Sequence, residues 1–431
     1  MEASSRRGVR AEAVWKLLAN DVRPLEPVDA PLDDALGRTL AADASAVYDY
    51  PPYTRSIMDG FAVRCADFSG GAARLRLREL VRAGDSAMHA VGPGECSRIN
   101  TGGAIPTGAD AVVMVEQARF VARGGAERTT GAGNNAAGSA AAGAGWVELA
   151  DTPVADQHIE KVGSIMNRGD VVLRRGERVT AGAAAALASA GVASVRVVRT
   201  PRVALLTTGD ELVSAGGRLE AGQVFDSNRI ALRELLARSG VAPTMPESCG
   251  DDAERLREVL RRGCEHDVLV VVGGMSKGTH DLVPGVLESL GVLWMVESLD
   301  LKPGKPTRIG RSRAGGWVVG LPGNPVSCAV CFLLFVRPIV EGLGGATVAA
   351  PRTLSGRSDV ELPKNGARPM FQPACWAIES DGVPHVSPTP WRGSGDPFGL
   401  ARANGLLLRD AHAAAAGVGE LVRFVPIELP R

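Results

Sequence analysis

Two stretches of this chain run an apolar strand into a glycine-rich loop and then into a helix start. The first is VLVVVGGMSKGTHD (268–281) and the second is WVVGLPGNPVSCAVCFLLF (317–335), with LKPGKP (301–306) between them. A buried strand that opens into glycines and a helix N-terminus presents backbone N–H groups at the positive end of a dipole. Folds hold phosphate and other oxyanions in this way. Two such loops with lysines between them predict a large, multiply charged ligand. Neither contains GxxxxGK[ST] or GxGxxG, so the anion site is not a P-loop or a dinucleotide fingerprint.

Other loops are chemically loaded as well. LLTTGDEL (205–212) places Thr207, Thr208, Gly209, Asp210 and Glu211 just after a strand. Hydroxyls and a glycine suit phosphate, and paired acids suit Mg²⁺ that keeps water in its shell. A helix cap followed by first-turn acids explains the same string equally well. In QVFDSNR (223–229), Asp226 and Ser227 read more strongly as a cap for the next helix. In GGMSKGTHD, Gly273 and Gly274 are followed by Ser276, Lys277 and Asp281, and Asp281 could cap a helix or hold a metal ion. LKPGKP sets Lys302 and Lys305 on a turn stiffened by prolines, which lowers the entropy lost in ordering them round an anion. GLPGNPVS offers Pro322 and Pro325 as rigid walls, Gly323 for close approach, and Ser327 near a helix start. Far upstream, RSIMDGFAVR (55–64) and RINTGGAIPTGADAVVMVE (98–116) put Asp59 and Thr101 in turns before strands.

The elements that must position these loops alternate strand with helix. The reading places strands at 203–208, 268–272, 292–297 and 317–321, and helices at 228–239, 252–262 (capped by Asp251), 282–290 and 325–336. That alternation predicts a doubly wound parallel α/β domain with its ligand at the carboxyl ends of the strands. Upstream, helices are expected at 11–20, 32–42 and 180–191, the last capped by Thr180 and stopped by Gly191. Tyr48 to Pro52 reads as an extended connector. Short β-type runs over 56–121 predict a small β domain, and those over 350–431 a second. The Gly/Ala segment 122–145 has too little apolar surface to offset its ordering entropy, and is expected to be a disordered hairpin tip.

Composition narrows the function. Lys+Arg and Asp+Glu both total 48 in 431 residues, which excludes a whole-protein basic field for nucleic acid. Seven scattered cysteines argue against a disulfide framework and for the cytoplasm. Cys328 and Cys331 lack a second pair and read as core packing on one helix face. The longest apolar run, 328–336, falls short of the ~18 residues a membrane span needs.

In their order and spacing, PPYTRSIMDGFAVR, INTGGAIPTGADAVVMVE, TTGDEL, DSNR, GGMSKGTHD, LKPGKP and GLPGNPVSC resemble the molybdopterin molybdenumtransferases, the family of MoeA and the gephyrin E domain. SGDPFGLARANGLLL (394–408) is similar to that family's last domain, and the likeness covers nearly the whole chain outside the Gly/Ala insertion. The resemblance implies four domains: 1–55 with 150–192, 56–149, 193–345 and 346–431. It implies a homodimer whose active site joins one protomer's α/β domain to the other's N-terminal β region. The implied reaction takes molybdate and adenylylated molybdopterin, cleaves the phosphoanhydride with Mg²⁺ and releases AMP. A molybdopterin adenylyltransferase and recipient molybdoenzymes are the implied partners.

Carried over residue by residue, Asp59, Thr101, Asp210 and Asp281 fall in catalytic positions. Thr208, Gly209, Glu211, Asp226, Ser227, Gly273, Gly274, Ser276, Lys277, Lys302, Lys305, Pro322, Gly323, Pro325 and Ser327 fall in ligand-binding ones, and Asp210, Asp226 and Asp281 in metal-binding ones. VGSIMNRGD (162–170) departs from the pattern, with Ser164, Ile165 and Met166 following Gly163 where the family often has an acid. Lys277 and Thr279 also replace commoner choices. Two other readings share parts of this pattern, an adenylyltransferase-type module and a non-catalytic scaffold like gephyrin's E domain. The Asp59 and Thr101 motifs argue against the first, and no peptide groove can be read for the second.

Overall fold

The computed structural model describes residues 6–68, 70–122, 127–129, 145–250, 252–275 and 282–430. The chain forms two compact units. One comprises Met1–Asp29, Gly37–Ala41 and Arg196–Arg431, the other Ala30–Leu36 and Ala42–Val195.

The first unit is built on a six-stranded sheet. Its order is Met245–Cys249, Val203–Thr208, Val268–Val272, Trp317–Leu321, Arg308–Arg311 and Leu293–Val296. The first four strands pair in parallel, and the last two join antiparallel. Val203–Thr208 and Val268–Val272 are buried along their whole length, which is why both read as unbroken apolar runs. Alternate residues serve opposite faces. Val203, Leu205, Val268 and Val270 pack into one core with Leu232 and Leu236 of helix Ser227–Arg238. Ala204, Leu206, Leu269 and Val271 face a second core with Leu256, Val259 and Leu260 of helix Ala253–Gly263. Helices on both faces of a largely parallel sheet are the doubly wound arrangement expected.

Several details depart from the expectation. Met245–Cys249 and Arg308–Arg311 were not foreseen as strands. The first is an edge strand carrying Pro246, and the second contains Gly310, two features that hide a strand from propensity. The cap of Ala253–Gly263 is Asp252, whose side chain accepts from Arg255 N–H at 2.7 Å, while Asp251 lies outside the described residues. The helix expected to stop at residue 336 continues. Pro325–Cys331 passes through a wider π turn, Phe332–Val336, into Arg337–Leu343. Pro338 has no N–H to offer the carbonyl four residues back. That carbonyl, Leu334 O, instead accepts the Trp15 indole N–H at 2.9 Å. The 19 residues Pro325–Leu343 are thus long and apolar enough to cross a membrane, contrary to the sequence reading, but 83% of the apolar window is buried inside the unit. It is the core helix of the α/β sheet.

The same unit ends in a closed five-stranded barrel of Leu354–Ser358, Pro384–Pro388, Met370–Ile378, Gly405–Arg409 and Leu421–Pro426. Trp376 and Phe424 pack in its core with centroids 5.2 Å apart.

The second unit holds a seven-stranded sheet, ordered Ala111–Met114, Gly60–Val63, Glu95–Ile99, Ala73–Val81, Gly145–Leu149, Ala118–Ala122 and Glu127–Thr129. Thr180 caps helix Ala181–Ser189 by accepting from Ala183 N–H at 3.2 Å. The helix expected over 32–42 is only a single 3₁₀ turn, Leu32–Ala35, because Gly37 at φ +77° ends it. The expected hairpin tip at 122–145 contains a strand, Glu127–Thr129, paired with Ala118–Ala122. Residues 123–126 and 130–144 lie outside the described residues.

Candidate functional site

A cavity of about 820 Å³ opens at the carboxyl ends of Val203–Thr208, Val268–Val272 and Trp317–Leu321. Thr208, Gly209 and Glu211 line it from the first strand end, Gly273 and Gly274 from the second, and Pro322, Gly323 and Pro325 from the third. Asp226 and Ser227 enter at the N-terminus of helix Ser227–Arg238. The loops singled out in the sequence are therefore brought to one place.

The floor is built so that a ligand can approach backbone. Gly273 has φ +93°, and a Cβ there would overlap the Thr208 carbonyl oxygen. Gly274 has φ +59°, and its Cβ would lie 2.7 Å from Val283 Cγ2 and 3.2 Å from Thr208 Oγ1. Only glycine fits either position. The two threonines above this floor differ. Thr207 Oγ1 donates to Asp226 Oδ2 at 2.7 Å. Thr208, 3% exposed, has a buried hydroxyl with no hydrogen-bond partner among the described residues. A buried hydroxyl left alone is costly, and here it borders the cavity.

The acids separate by role. Asp226 is buried with both oxygens engaged. Oδ1 accepts Arg229 N–H at 3.0 Å, and Oδ2 accepts Thr207 and lies 3.4 Å from Arg229 Nε. Its geometry is that of a helix cap and an anchor for Thr207. Glu211 lines the cavity, whereas Asp210 does not; its Oδ1 sits against Gly250. Among the described residues no group of three His, Cys, Asp or Glu side chains could hold a metal ion. Ser276, Lys277 and Asp281 lie outside the described residues. Lys302 and Lys305 are exposed and do not line the cavity; Pro306 takes that place. The lysine turn is pinned to the barrel, with Lys302 N–H donating to Pro369 O at 2.9 Å and Phe371 N–H to Lys302 O at 2.8 Å. Ser327 is buried in its helix, away from the lining. Cys328 and Cys331 are buried and free, and burial pushes the Cys331 thiol up to about 12, so core packing is their role.

Sequence reasoning missed two walls. Val224 and Phe225 form a short strand parallel to Leu212–Val213, and both side chains are exposed at the cavity. Gly395 and Pro397, from the loop before barrel strand Gly405–Arg409, close another side. That loop is held by Val326 N–H donating to Ser394 O at 3.0 Å and Asn324 Nδ2 to Ser394 Oγ at 3.1 Å. Its signal was the punctuation SGDPFG (394–399).

In the second unit the two flagged turns meet. Thr101 donates to Asp59 Oδ1 twice, from its N–H at 2.6 Å and its hydroxyl at 3.0 Å. Both residues are exposed. Gly60 starts the adjoining strand where a Cβ would overlap Val113 O, which fixes the turn that carries Asp59. Ile165, 60% exposed, donates its N–H to Tyr50 O at 3.1 Å.

The MoeA N-terminal region (domain I and II) matches residues 9–191, a probable molybdopterin binding domain 204–342, and the MoeA C-terminal region (domain IV) 355–427. The chain belongs to the MoeA family. It has a role in molybdenum cofactor biosynthesis, as a transferase. The molybdopterin molybdenumtransferase of Staphylococcus aureus strain Mu50 is 28% identical over 439 residues, covering 99% of this chain and 98% of that protein. The Staphylococcus epidermidis enzyme of the same name, from strain ATCC 35984, is 28% identical over 428 residues, covering 97% and 95%. A molybdopterin biosynthesis MoeA crystal structure from Pyrococcus horikosii superposes with TM-score 0.76 at 28% identity, covering 98% of this chain and 100% of that one. The MoeA chain's cavity falls inside the segment matched by the molybdopterin-binding domain, apart from Gly395 and Pro397.

Proposed function

We propose that this chain transfers molybdenum from molybdate to adenylylated molybdopterin, with cleavage of the phosphoanhydride and release of AMP. The observation that carries the reading is the Thr208 hydroxyl, without a partner among the described residues, over the Gly273–Gly274 floor. An anhydride phosphate laid on that floor would accept from Thr208 and meet backbone at distances that side chains would forbid. The volume of about 820 Å³ suits a pterin joined to a nucleotide. Val224 and Phe225 give the rings an apolar wall, while Pro322 and Pro325 hold the pocket's shape near the molybdate.

Mg²⁺ fits this donor set only if it is shared with the substrate. Mg²⁺ is held by one or two carboxylates plus phosphate oxygens more often than by an all-protein cage. Glu211 is the described carboxylate placed for this, with Asp281 as its expected companion. When bound, the ion would offset negative charge on the anhydride. Lys302 and Lys305, on the turn that ends in the lining residue Pro306, add positive charge.

Asp59 and Thr101 are taken to act from the partner protomer of a homodimer, presenting a carboxylate ordered by two donors. The seven free cysteines are consistent with work in the cytoplasm. The test incubates pure chain with adenylylated molybdopterin, Mg²⁺ and molybdate, and follows AMP and dithiolene-bound molybdenum. Both should appear together and both should require Mg²⁺. Tight binding of the pterin nucleotide without AMP release would sink the reading.

A further inference from the structure

Among the described residues of the second unit, one charged side chain keeps a buried nitrogen without a hydrogen-bond acceptor. Arg98 stands on strand Glu95–Ile99 directly opposite Phe61, and its guanidinium carbon lies 5.1 Å from the centroid of that ring. Among the described residues its buried Nη1 has no hydrogen-bond partner, and no carboxylate forms an ion pair with it. Burial pulls its pKa down, and the charges of Asp59 and Glu116 act in the opposite direction. A buried N–H without an acceptor forfeits the hydration it had in the unfolded chain, and such groups are rare in native folds. A methionine would cover Phe61 without that loss. The cation is explained only if its charge has work to do.

That work is close by. Three residues on, Thr101 spends both its N–H and its hydroxyl on a single oxygen of Asp59. The pair therefore has no donor left on Thr101's N–H for an incoming anion, and it faces solvent with the carboxylate's negative charge. An oxyanion would be repelled unless positive charge stands behind that carboxylate, and charge in a half-buried position is screened less than charge at the surface.

We propose that Arg98 is a positioning residue of this site: from its place over Phe61, on the strand paired with the one that follows Asp59, its charge offsets that of the Asp59–Thr101 pair, so that an oxyanion substrate can be accepted beside it. The inference rests on the proposed molybdenum transfer and adds the residue that tunes it.

The experiment compares full-length Arg98→Met and Arg98→Lys with wild type. It measures molybdenum insertion, affinity for adenylylated molybdopterin and thermal melting in parallel. Arg98→Met should bind the pterin nucleotide as wild type does and melt at the same temperature, yet turn over about tenfold more slowly. Arg98→Lys, which keeps the charge, should recover most of that loss. Should Arg98→Met melt early, Arg98→Gln is read in its place. Wild-type turnover in the neutral variant overturns the inference while leaving the transfer reading intact. So does a Lys variant as slow as the neutral one, because charge would then not be what matters. A wild-type chain that binds the pterin nucleotide but inserts no molybdenum overturns the transfer reading, and this inference with it.

Discussion

The α/β cavity and the Asp59–Thr101 loop assemble polar chemistry in opposite ways. The cavity is lined by backbone at glycines, with a buried hydroxyl held ready and one of its acids, Asp226, already engaged as a cap. The loop is exposed and works through side chains, one carboxylate being held by two donors from one threonine. A surface made of backbone recognises by shape and cannot be retuned without moving the chain. A projecting carboxylate recognises little alone but can act on what another surface holds. The contrast implies that damage to the cavity should abolish binding, whereas damage to the loop should spare binding and slow turnover.

The largest effect is expected from Gly273→Ala. The new Cβ would overlap the Thr208 carbonyl, and the left-handed φ of +93° adds about 1–2 kcal/mol for any L side chain. Titration calorimetry should find no measurable affinity for adenylylated molybdopterin, with a lowered melting temperature. Retained affinity would mean that the ligand does not lie on this floor, and the division between the two regions would fail on the binding side.

Asp59→Ala probes the other side and should be second in size. Turnover should fall by about 10²–10³, the range seen when one preorganised polar contact is removed from a reaction centre. Affinity for the pterin nucleotide should stay within about twofold. If binding and turnover fell together in a folded variant, the loop would be part of the binding surface. Mixed with Gly273→Ala, the Asp59→Ala chain should regain activity in hybrid dimers; subunit exchange without rescue would argue against a site shared between protomers.

What could be read from sequence follows the same contrast. Strands buried on both faces announce themselves as VALLTT, VLVVV and WVVGL, so the sheet and the loops at its carboxyl ends were legible. The edge strand Met245–Cys249 was not, because Pro246 and Glu247 break the apolar pattern that a central strand needs. Within the cavity, Thr208, Gly209, Glu211, Gly273 and Gly274 were legible because local chemistry places a glycine or hydroxyl at a strand end. Gly395 and Pro397 were not, because they arrive through tertiary packing of the barrel loop, fastened at Asn324 and Val326. The separate motifs of Asp59 and Thr101 were visible, but their hydrogen bonds join residues 42 apart and depend on the register of the sheet. Asp226 shows the limit from the other direction. Its motif allowed a cap or a metal ligand, and only its bonds to Thr207 and Arg229 favour the cap.

Thr208→Val is the finest test of the comparison, with the smallest expected effect. Valine matches threonine in shape and replaces a hydroxyl that has no partner among the described residues. Removing an unsatisfied buried group should leave the melting temperature unchanged or raise it, since the folded chain no longer forfeits that hydration. A hydrogen bond to a charged group contributes about 1.5–3 kcal/mol, so loss of the hydroxyl should weaken adenylylated molybdopterin about 10- to 100-fold. The same substitution at Thr207 should do the reverse, lowering the melting temperature by removing the hydroxyl donor to Asp226 Oδ2 and leaving that buried oxygen only its ion pair with Arg229, while touching affinity less. If Thr208→Val melted lower and bound as well as wild type, the hydroxyl would be structural, and the cavity would recognise its ligand through glycine backbone alone.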